Sequence, residues 1–300
     1  MAALDLGSNT FLLLVAEIEN GRLIRVIQDE YRLTRLGQGV DKTQSLSTEA
    51  LQRAEACLKD YARIIAEHSP QIIKAVATSA ARDAVNSSAL LDLGKKYGIE
   101  IRLISGDEEA RISFLGGSGD FLNGGKGRLI DVGGASTEFI FGGPRAIEAS
   151  CSLNIGSVRL TERYISRHPI KREELNELNT YIRAQLATLP NSIITGQGPV
   201  VAVAGTPTSL AAIVLGLEKY DSQKVHGFRL EMGLIEEWNR RLAGMSVEER
   251  CRLPGMEPLR ADVVVAGLSI LLESAKAMGV EELRVSAHGI RYGLALEATT

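Results

Sequence analysis

The opening of the chain sets short apolar runs between turn residues, and then the period of the pattern changes. Runs at 2–6, 11–18 and 21–33 read as three strands of a meander. From Ser47 the apolar positions Leu51, Ala54, Leu58, Tyr61 and Ile65 recur at helical spacing. Ser47 followed by Thr48-Glu49-Ala50 is an N-cap signal, so a helix of about twenty residues is predicted. A strand at 72–77, a helix to about 97, a strand at 100–104 and a helix from Asp107 complete a first unit. Gly116 to Gly127 is rich in glycine and reads as the crossing to a second unit. There, strands at 128–132, 136–142 and 145–153 repeat the meander, followed by a helical stretch from Ser157 to Leu189 and a buried strand, Val200 to Val203. Helices near 207–217, 231–243 and 258–278, a strand at 282–286 and a last helix from Gly289 finish the pattern. The expectation is an α/β chain of two domains, 1–121 and 122–300. Each is a mixed sheet covered by helices, the last helix (about 289–300) packs back on the first domain, and a cleft lies between the two.

Composition agrees with two domains, since 300 residues at 45% hydrophobic and 24% charged can bury substantial cores. No apolar run approaches the ~20 residues that span a bilayer. The first strand begins almost at Met1 with no secretory pattern, so a cytoplasmic protein that uses no membrane is expected. Cys57, Cys151 and Cys251 lack metal-ligand spacing and predict neither a disulfide framework nor a zinc site. A net charge of −3 argues against binding DNA or RNA by bulk charge. Positive charge is concentrated in Arg159, Arg163, Arg167, Lys171 and Arg172, and again in Arg240, Arg241, Arg250, Arg252 and Arg260. Each group is either a solvated helix face or a track for a polyanion.

One stretch occurs twice. Leu4-Asp5-Leu6-Gly7-Ser8-Asn9-Thr10 and Ile130-Asp131-Val132-Gly133-Gly134-Ala135-Ser136-Thr137 each place an acid at the end of an apolar run, then small turn residues, then a returning strand. Small residues let the backbone approach closely and aim several N–H groups at one point, where an anion is the natural guest. Ser8, Thr10, Ser136 and Thr137 add hydroxyls. Asp5 or Asp131 would repel a phosphate unless a cation stood between, so a divalent ion such as Mg²⁺ (or Mn²⁺) is implied. Two ordinary hairpins are the alternative reading.

Four more segments carry chemistry. Ala77-Thr78-Ser79-Ala80-Ala81-Arg82 passes from strand to helix and forms either an anion site completed by Arg82 or a simple N-cap. Ser105-Gly106-Asp107-Glu108-Glu109 puts three acids in a first helical turn. They either complement the helix dipole or supply one carboxylate that orients and deprotonates an attacking water. Ala204-Gly205-Thr206-Pro207-Thr208 is a third strand-turn-helix suited to phosphate or nucleotide. Ser286 to Gly293 reads mostly as packing, with Arg291 a weaker anion candidate. His68 and His168 read as surface residues and His226 as a turn residue. No Ser/His/Asp or Cys/His arrangement is evident, so no covalent intermediate is expected.

Together these motifs resemble the exopolyphosphatase/guanosine pentaphosphate phosphohydrolase family, in order and spacing through essentially the whole chain. The resemblance implies two ribonuclease H-like domains of the actin/sugar kinase/Hsp70 superfamily. It also implies Mg²⁺-dependent hydrolysis of the terminal phosphate of inorganic polyphosphate, or of guanosine pentaphosphate. By position, Glu109 matches the catalytic glutamate, while Asp131 and Glu138 match acids that hold the metal or the water. Asp5 matches an acid that supports the metal. Ser8, Asn9, Arg82, Gly133, Gly134 and Ser136 match phosphate-loop residues, to which Gly7, Thr10, Thr137, Gly205 and Thr206 are added as neighbours in the turns. Ala135 stands where a third glycine is common, and Tyr292 where Glu is frequent. A homodimer is expected because family members commonly dimerise. A sugar or acid kinase and a non-catalytic phosphate sensor are the readings from other classes.

Overall fold

Strand pairing organises both halves of the chain. The structure is a computed structural model describing residues 1–144 and 146–297. It divides into two compact units, Met1–Gly116 with the segment from Gly289, and Gly117–His288.

The first unit contains β1 (Ala2–Leu6), β2 (Thr10–Glu19), β3 (Arg22–Leu33), α1 (Val40–Thr43), α2 (Thr48–His68), β4 (Ile73–Ala77), α3 (Ser79–Asp83), α4 (Ser88–Lys96), β5 (Ile101–Leu103) and the first part of α5 (Gly106–Leu122). Its sheet runs β3-β2-β1-β4-β5. β1 pairs antiparallel with β2 and parallel with β4, so Asp5 lies between Leu12 and Val76. All five residues of β1 are buried, which marks it as the sheet's centre. Ser47 caps α2, its hydroxyl accepting from Ala50 N–H at 3.1 Å. The apolar stripe of α2 is buried, and Tyr61 donates to Phe11 O at 2.8 Å. On the opposite face the last helix packs on Ala3, Leu14, Val76, Ile104 and Ile112 through Ile290, Tyr292 and Leu294.

The second unit contains β6 (Gly127–Val132), β7 (Thr137–Gly143), β8 (Ala146–Leu153), α6 (Ser157–Tyr164), α7 (Arg172–Leu186), α8 (Asn191–Thr195), β9 (Val200–Val203), α9 (Gly205–Val214), α10 (Ser222–Val225), β10 (Arg229–Glu231), α11 (Met232–Ala243), α12 (Val247–Cys251), α13 (Val264–Ala277) and β11 (Glu282–Val285), and α14 (Ile290–Glu297) follows it in the chain. The order β10-β11-β9-β6-β7-β8 repeats the first sheet, with β6 in the place of β1 and β9 in the place of β4. Its core gathers on α13, whose residues Val264 to Ala275 are all buried. Among the described residues no helix is long and apolar enough to cross a membrane.

Three expectations need correction. The glycine-rich crossing at 116–127 is helical as far as Leu122. A Cβ on Gly116 would lie 2.2 Å from Gly289 O and one on Gly293 2.0 Å from Ile112 O, so these glycines admit α14 against α5, and packing overrides their poor helix propensity. The stretch 157–189 breaks after Tyr164, ahead of Pro169, which cannot continue a helix. The helix placed at 258–278 is a single 3₁₀ turn at Pro258–Arg260 followed by α13. Residue 145 of the expected strand 145–153 and residues 298–300 of the last helix lie outside the described residues.

Candidate active site

The two acid-bearing turns are built alike. Gly7 N–H donates to Thr10 O at 3.1 Å, and Gly133 N–H donates to Ser136 O at 3.0 Å. A Cβ on either glycine would press to 3.0 Å against that same carbonyl, so both positions ask for the smallest residue. Each turn is also gripped from behind. Thr34 and Arg35 N–H groups donate to Asn9 O, and Gly37 N–H donates to Ser8 O at 2.7 Å. In the second unit, Ser157 N–H donates to Gly133 O at 2.9 Å, Val158 and Arg159 N–H groups donate to Gly134 O, and Arg159 Nε donates to Ala135 O at 2.8 Å.

In the first unit the expected residues form a connected set. Ser8 Oγ lies 3.0 Å from Ser79 Oγ and accepts from Ala80 N–H at 3.2 Å, joining the turn to the start of α3. From α3, Arg82 Nη1 donates to Ile104 O at 2.7 Å and to Glu109 Oε2 at 3.2 Å. The three acids at the head of α5 separate here. Asp107 is exposed, Glu108 accepts from Arg102 at 2.6 Å, and only Glu109 is buried, held by Arg82. Asp5, Ser8, Asn9, Thr78 and Ser79, at strand ends and turns of the same unit, are buried as well. Neither Oδ1 nor Nδ2 of Asn9, both buried, meets a hydrogen-bond partner among the described residues. A buried amide left so costs about 1–3 kcal/mol unless a ligand takes it up.

In the second unit two buried acids face each other across the ladder, because Asp131 on β6 pairs in register with Glu138 on β7. Like charges directly opposite destabilise a sheet, and burial raises the cost. Such a pair asks for a cation or a shared proton. Glu138 Oε1 accepts from Ser136 Oγ at 2.7 Å and from Ser152 Oγ at 2.8 Å, so this oxygen is fixed. Thr137 is committed elsewhere: its hydroxyl is fully buried and donates to Ile155 O at 2.5 Å. Of the loop at 204–208, Gly205 opens α9 under the guanidinium of Arg260, since an added Cβ would meet Arg260 Nη1. Thr206 packs against Gly267 of α13, and Thr208 Oγ1 donates back to Ala204 O at 2.8 Å. Ala204 holds φ 73° and ψ −167°, a conformation nearly confined to glycine, and such strain clusters at functional sites.

The residues present suit Mg²⁺, which prefers carboxylate oxygens: Asp131 and Glu138 are the buried facing pair, and Asp5 is its counterpart at the end of β1.

A model described as the Ppx/GppA phosphatase family matches residues 14–300. The chain belongs to that family. It is 35% identical to Exopolyphosphatase 2 of Mycobacterium tuberculosis over 99% of this chain and 97% of that protein. It is 31% identical to the guanosine-5'-triphosphate,3'-diphosphate pyrophosphatase of Vibrio atlanticus over 99% of this chain and 58% of that protein. The solved structure of the Aquifex aeolicus PPX-GPPA enzyme superposes with a TM-score of 0.82 at 32% identity, covering 99% of this chain and 98% of that one.

Within this Ppx/GppA chain both departures from the family pattern have a structural answer. Ala135 does not adopt positive φ, so the methyl group is accommodated without backbone strain. Tyr292 donates its hydroxyl to Asp29 at 2.9 Å, and Arg291 binds the same carboxylate, so the expected anion candidate Arg291 is a tie within the first unit. Arg250 leaves the basic group of the second unit, being fully buried with Nε on Leu242 O and Nη1 on Ala261 O, each at 2.8 Å. Sequence reasoning missed Ser152. Its signal is cross-strand register, for β7 and β8 set Glu138 opposite Ser152.

Proposed function

We propose that this chain is an exopolyphosphatase, releasing terminal phosphate from inorganic polyphosphate by attack of water. The observation that carries the reading is the arrangement around Glu109. It is the one buried acid of its helical turn, and a guanidinium both orients it and stands ready for an oxyanion. The name of the relative matched over nearly its full length supports the same substrate.

In the proposed step, a water oxygen forms a bond to the terminal phosphorus while the bridging P–O bond breaks, and the water's proton passes to Glu109. Arg82 holds Glu109 through Nη1 and offers the rest of its fork to phosphate oxygens. The Asn9 amide, the Ser8 hydroxyl and the backbone of their own turn receive non-bridging oxygens, in positions fixed before substrate arrives. Asp131 and Glu138 would hold Mg²⁺, which supplies Lewis-acid stabilisation of the developing charge. Ser136 and Ser152 keep the Glu138 carboxylate in place.

The test is phosphate release with Mg²⁺ from short polyphosphate, long polyphosphate, guanosine pentaphosphate and ATP in parallel, by the wild-type chain and by Glu109→Gln. Release from polyphosphate that falls ~10²- to 10⁴-fold in the variant, with substrate still bound, is the expected result. Cleavage of guanosine pentaphosphate alone replaces the substrate assignment. Near-normal turnover by Glu109→Gln moves the base to Glu138 or Asp131.

A further inference from the structure

Three metal-ligating side chains that take no part in the phosphate chemistry converge inside the second unit. Asp120 Oδ2 lies 3.3 Å from His226 Nε2 and 3.3 Å from His288 Nδ1. One donor atom from each residue lies within 4.8 Å of both others. The imidazoles lie against each other, with centroids 4.2 Å apart and planes tilted by 30°. The Phe121 ring also packs on His226, with centroids 5.0 Å apart. The ligands come from the last turn of α5, the residue after α10 and the loop leaving β11, so no single stretch of sequence shows the set.

We propose that Asp120, His226 and His288 bind one divalent transition-metal ion of the zinc class. Metal–ligand bonds of about 2.0–2.2 Å at a tetrahedral angle place neighbouring donors about 3.3–3.5 Å apart, which the two nitrogen–oxygen distances already meet. Two imidazoles and one carboxylate favour Zn²⁺, Co²⁺ or Ni²⁺ over Mg²⁺ or Ca²⁺. The histidine side chains are mostly covered (22% and 25% exposed) and Asp120 is open at 61%, which leaves an entry path and room for a water ligand. His226 Nδ1 accepts from Ala287 N–H at 3.3 Å, so without metal its ring proton sits on Nε2, facing Asp120. An ion on Nε2 would move that proton to Nδ1, which can then no longer accept from Ala287 N–H, so this long hydrogen bond is given up. Imidazoles ligate only when neutral, so such a site weakens on acidification. The chain passes between its two units at Gly116–Gly117 and at His288–Gly289, so the ion joins segments that flank both passages.

The experiment is titration of the chelator-treated wild-type chain with Co²⁺, read by visible d–d absorption and chased with Zn²⁺. It is repeated with His226→Gln, His288→Gln, the double variant and Glu138→Gln. One equivalent of Co²⁺ with the intense bands of low-symmetry coordination is expected. Affinity should fall by at least ~10-fold in each single histidine variant, and the bands should vanish in the double variant. Glu138→Gln should leave them intact, which separates this site from the phosphate chemistry. Absence of the bands in wild type overturns the proposal whatever the variants do, and bands that survive the double variant overturn it as well.

Discussion

Arg291 grips Asp29 with two nitrogens, Nε to Oδ1 at 2.7 Å and Nη2 to Oδ2 at 2.9 Å, fastening α14 to β3 within the first unit. The side chains are only 10% and 19% exposed, and Tyr292 adds a third hydrogen bond to the same carboxylate. Water screens such a pair little, and its forked geometry adds to its strength. Asp29→Asn should therefore cost about 2–3 kcal/mol of stability and Tyr292→Phe about 1 kcal/mol, with turnover per folded molecule unchanged. Urea unfolding measures both. A midpoint for Asp29→Asn equal to wild type would remove the tie from the account.

Asn9 carries the opposite balance. Its buried side-chain amide has no hydrogen-bond partner among the described residues, and in the proposed function it is phosphate oxygens that take it up. Asn9→Ala should raise the thermal midpoint, by up to about 1 kcal/mol of stability, while raising KM for polyphosphate ~10-fold or more. Melting and steady-state kinetics on one preparation read both. Loss of stability would place Asn9 among the structural residues.

Two glycine substitutions should separate packing from the site. A Cβ at Gly116 meets backbone of Gly289 and Gly293, which cannot swing away, so Gly116→Ala should lose about 3 kcal/mol or more. A Cβ at Gly205 meets only the end of the Arg260 side chain. Gly205→Ala should fold as well as wild type, helped by alanine's helix propensity, but displace the guanidinium and weaken substrate binding. Equal unfolding midpoints for the two variants would contradict this.

Burial, and then the positive charge of the fully buried Arg250, hold His168 below its ordinary pKa of 6.5. As pH falls, the unfolded chain takes up this proton before the folded one. Stability is therefore intact above 6.5 and declines as pH drops toward the lowered native value. Wild type should lose more of its urea midpoint than His168→Gln between about pH 7.5 and about pH 5.5. Parallel losses in the two proteins would assign the acid sensitivity elsewhere.

The meanders, the doubled turn and the choice of α/β sheets were legible because short apolar runs and small-residue turns are local signals. What lay beyond reach depended on tertiary contact. Glycines 116 and 117 look like a linker until α14 and the strands β6 and β9 are seen to need the space of a missing side chain. Ser152 escaped for a subtler reason. Counting back from the β7–β8 turn sets Cys151 against Glu138, but an irregularity between Phe141 and Gly142 shifts the register by one residue and delivers the serine instead. Arg250 looked solvated because its neighbours are charged, whereas two backbone carbonyls hold it in the core. His226 looked like a turn residue, since its companions Asp120 and His288 are distant in sequence.

The first unit needs residues from 289 onward, whereas the second is one continuous stretch from Gly117 to His288. Synthesis thus delivers every strand of the later unit before the earlier one receives its covering helix. While ribosomes are still extending the chain, Ala3, Leu14, Val76 and Ile112 have no Ile290 or Leu294 to cover them, and Asp29 has no cation. Domains usually mature in the order they emerge. Here the last piece of the first unit is made only after the whole second unit has been synthesised.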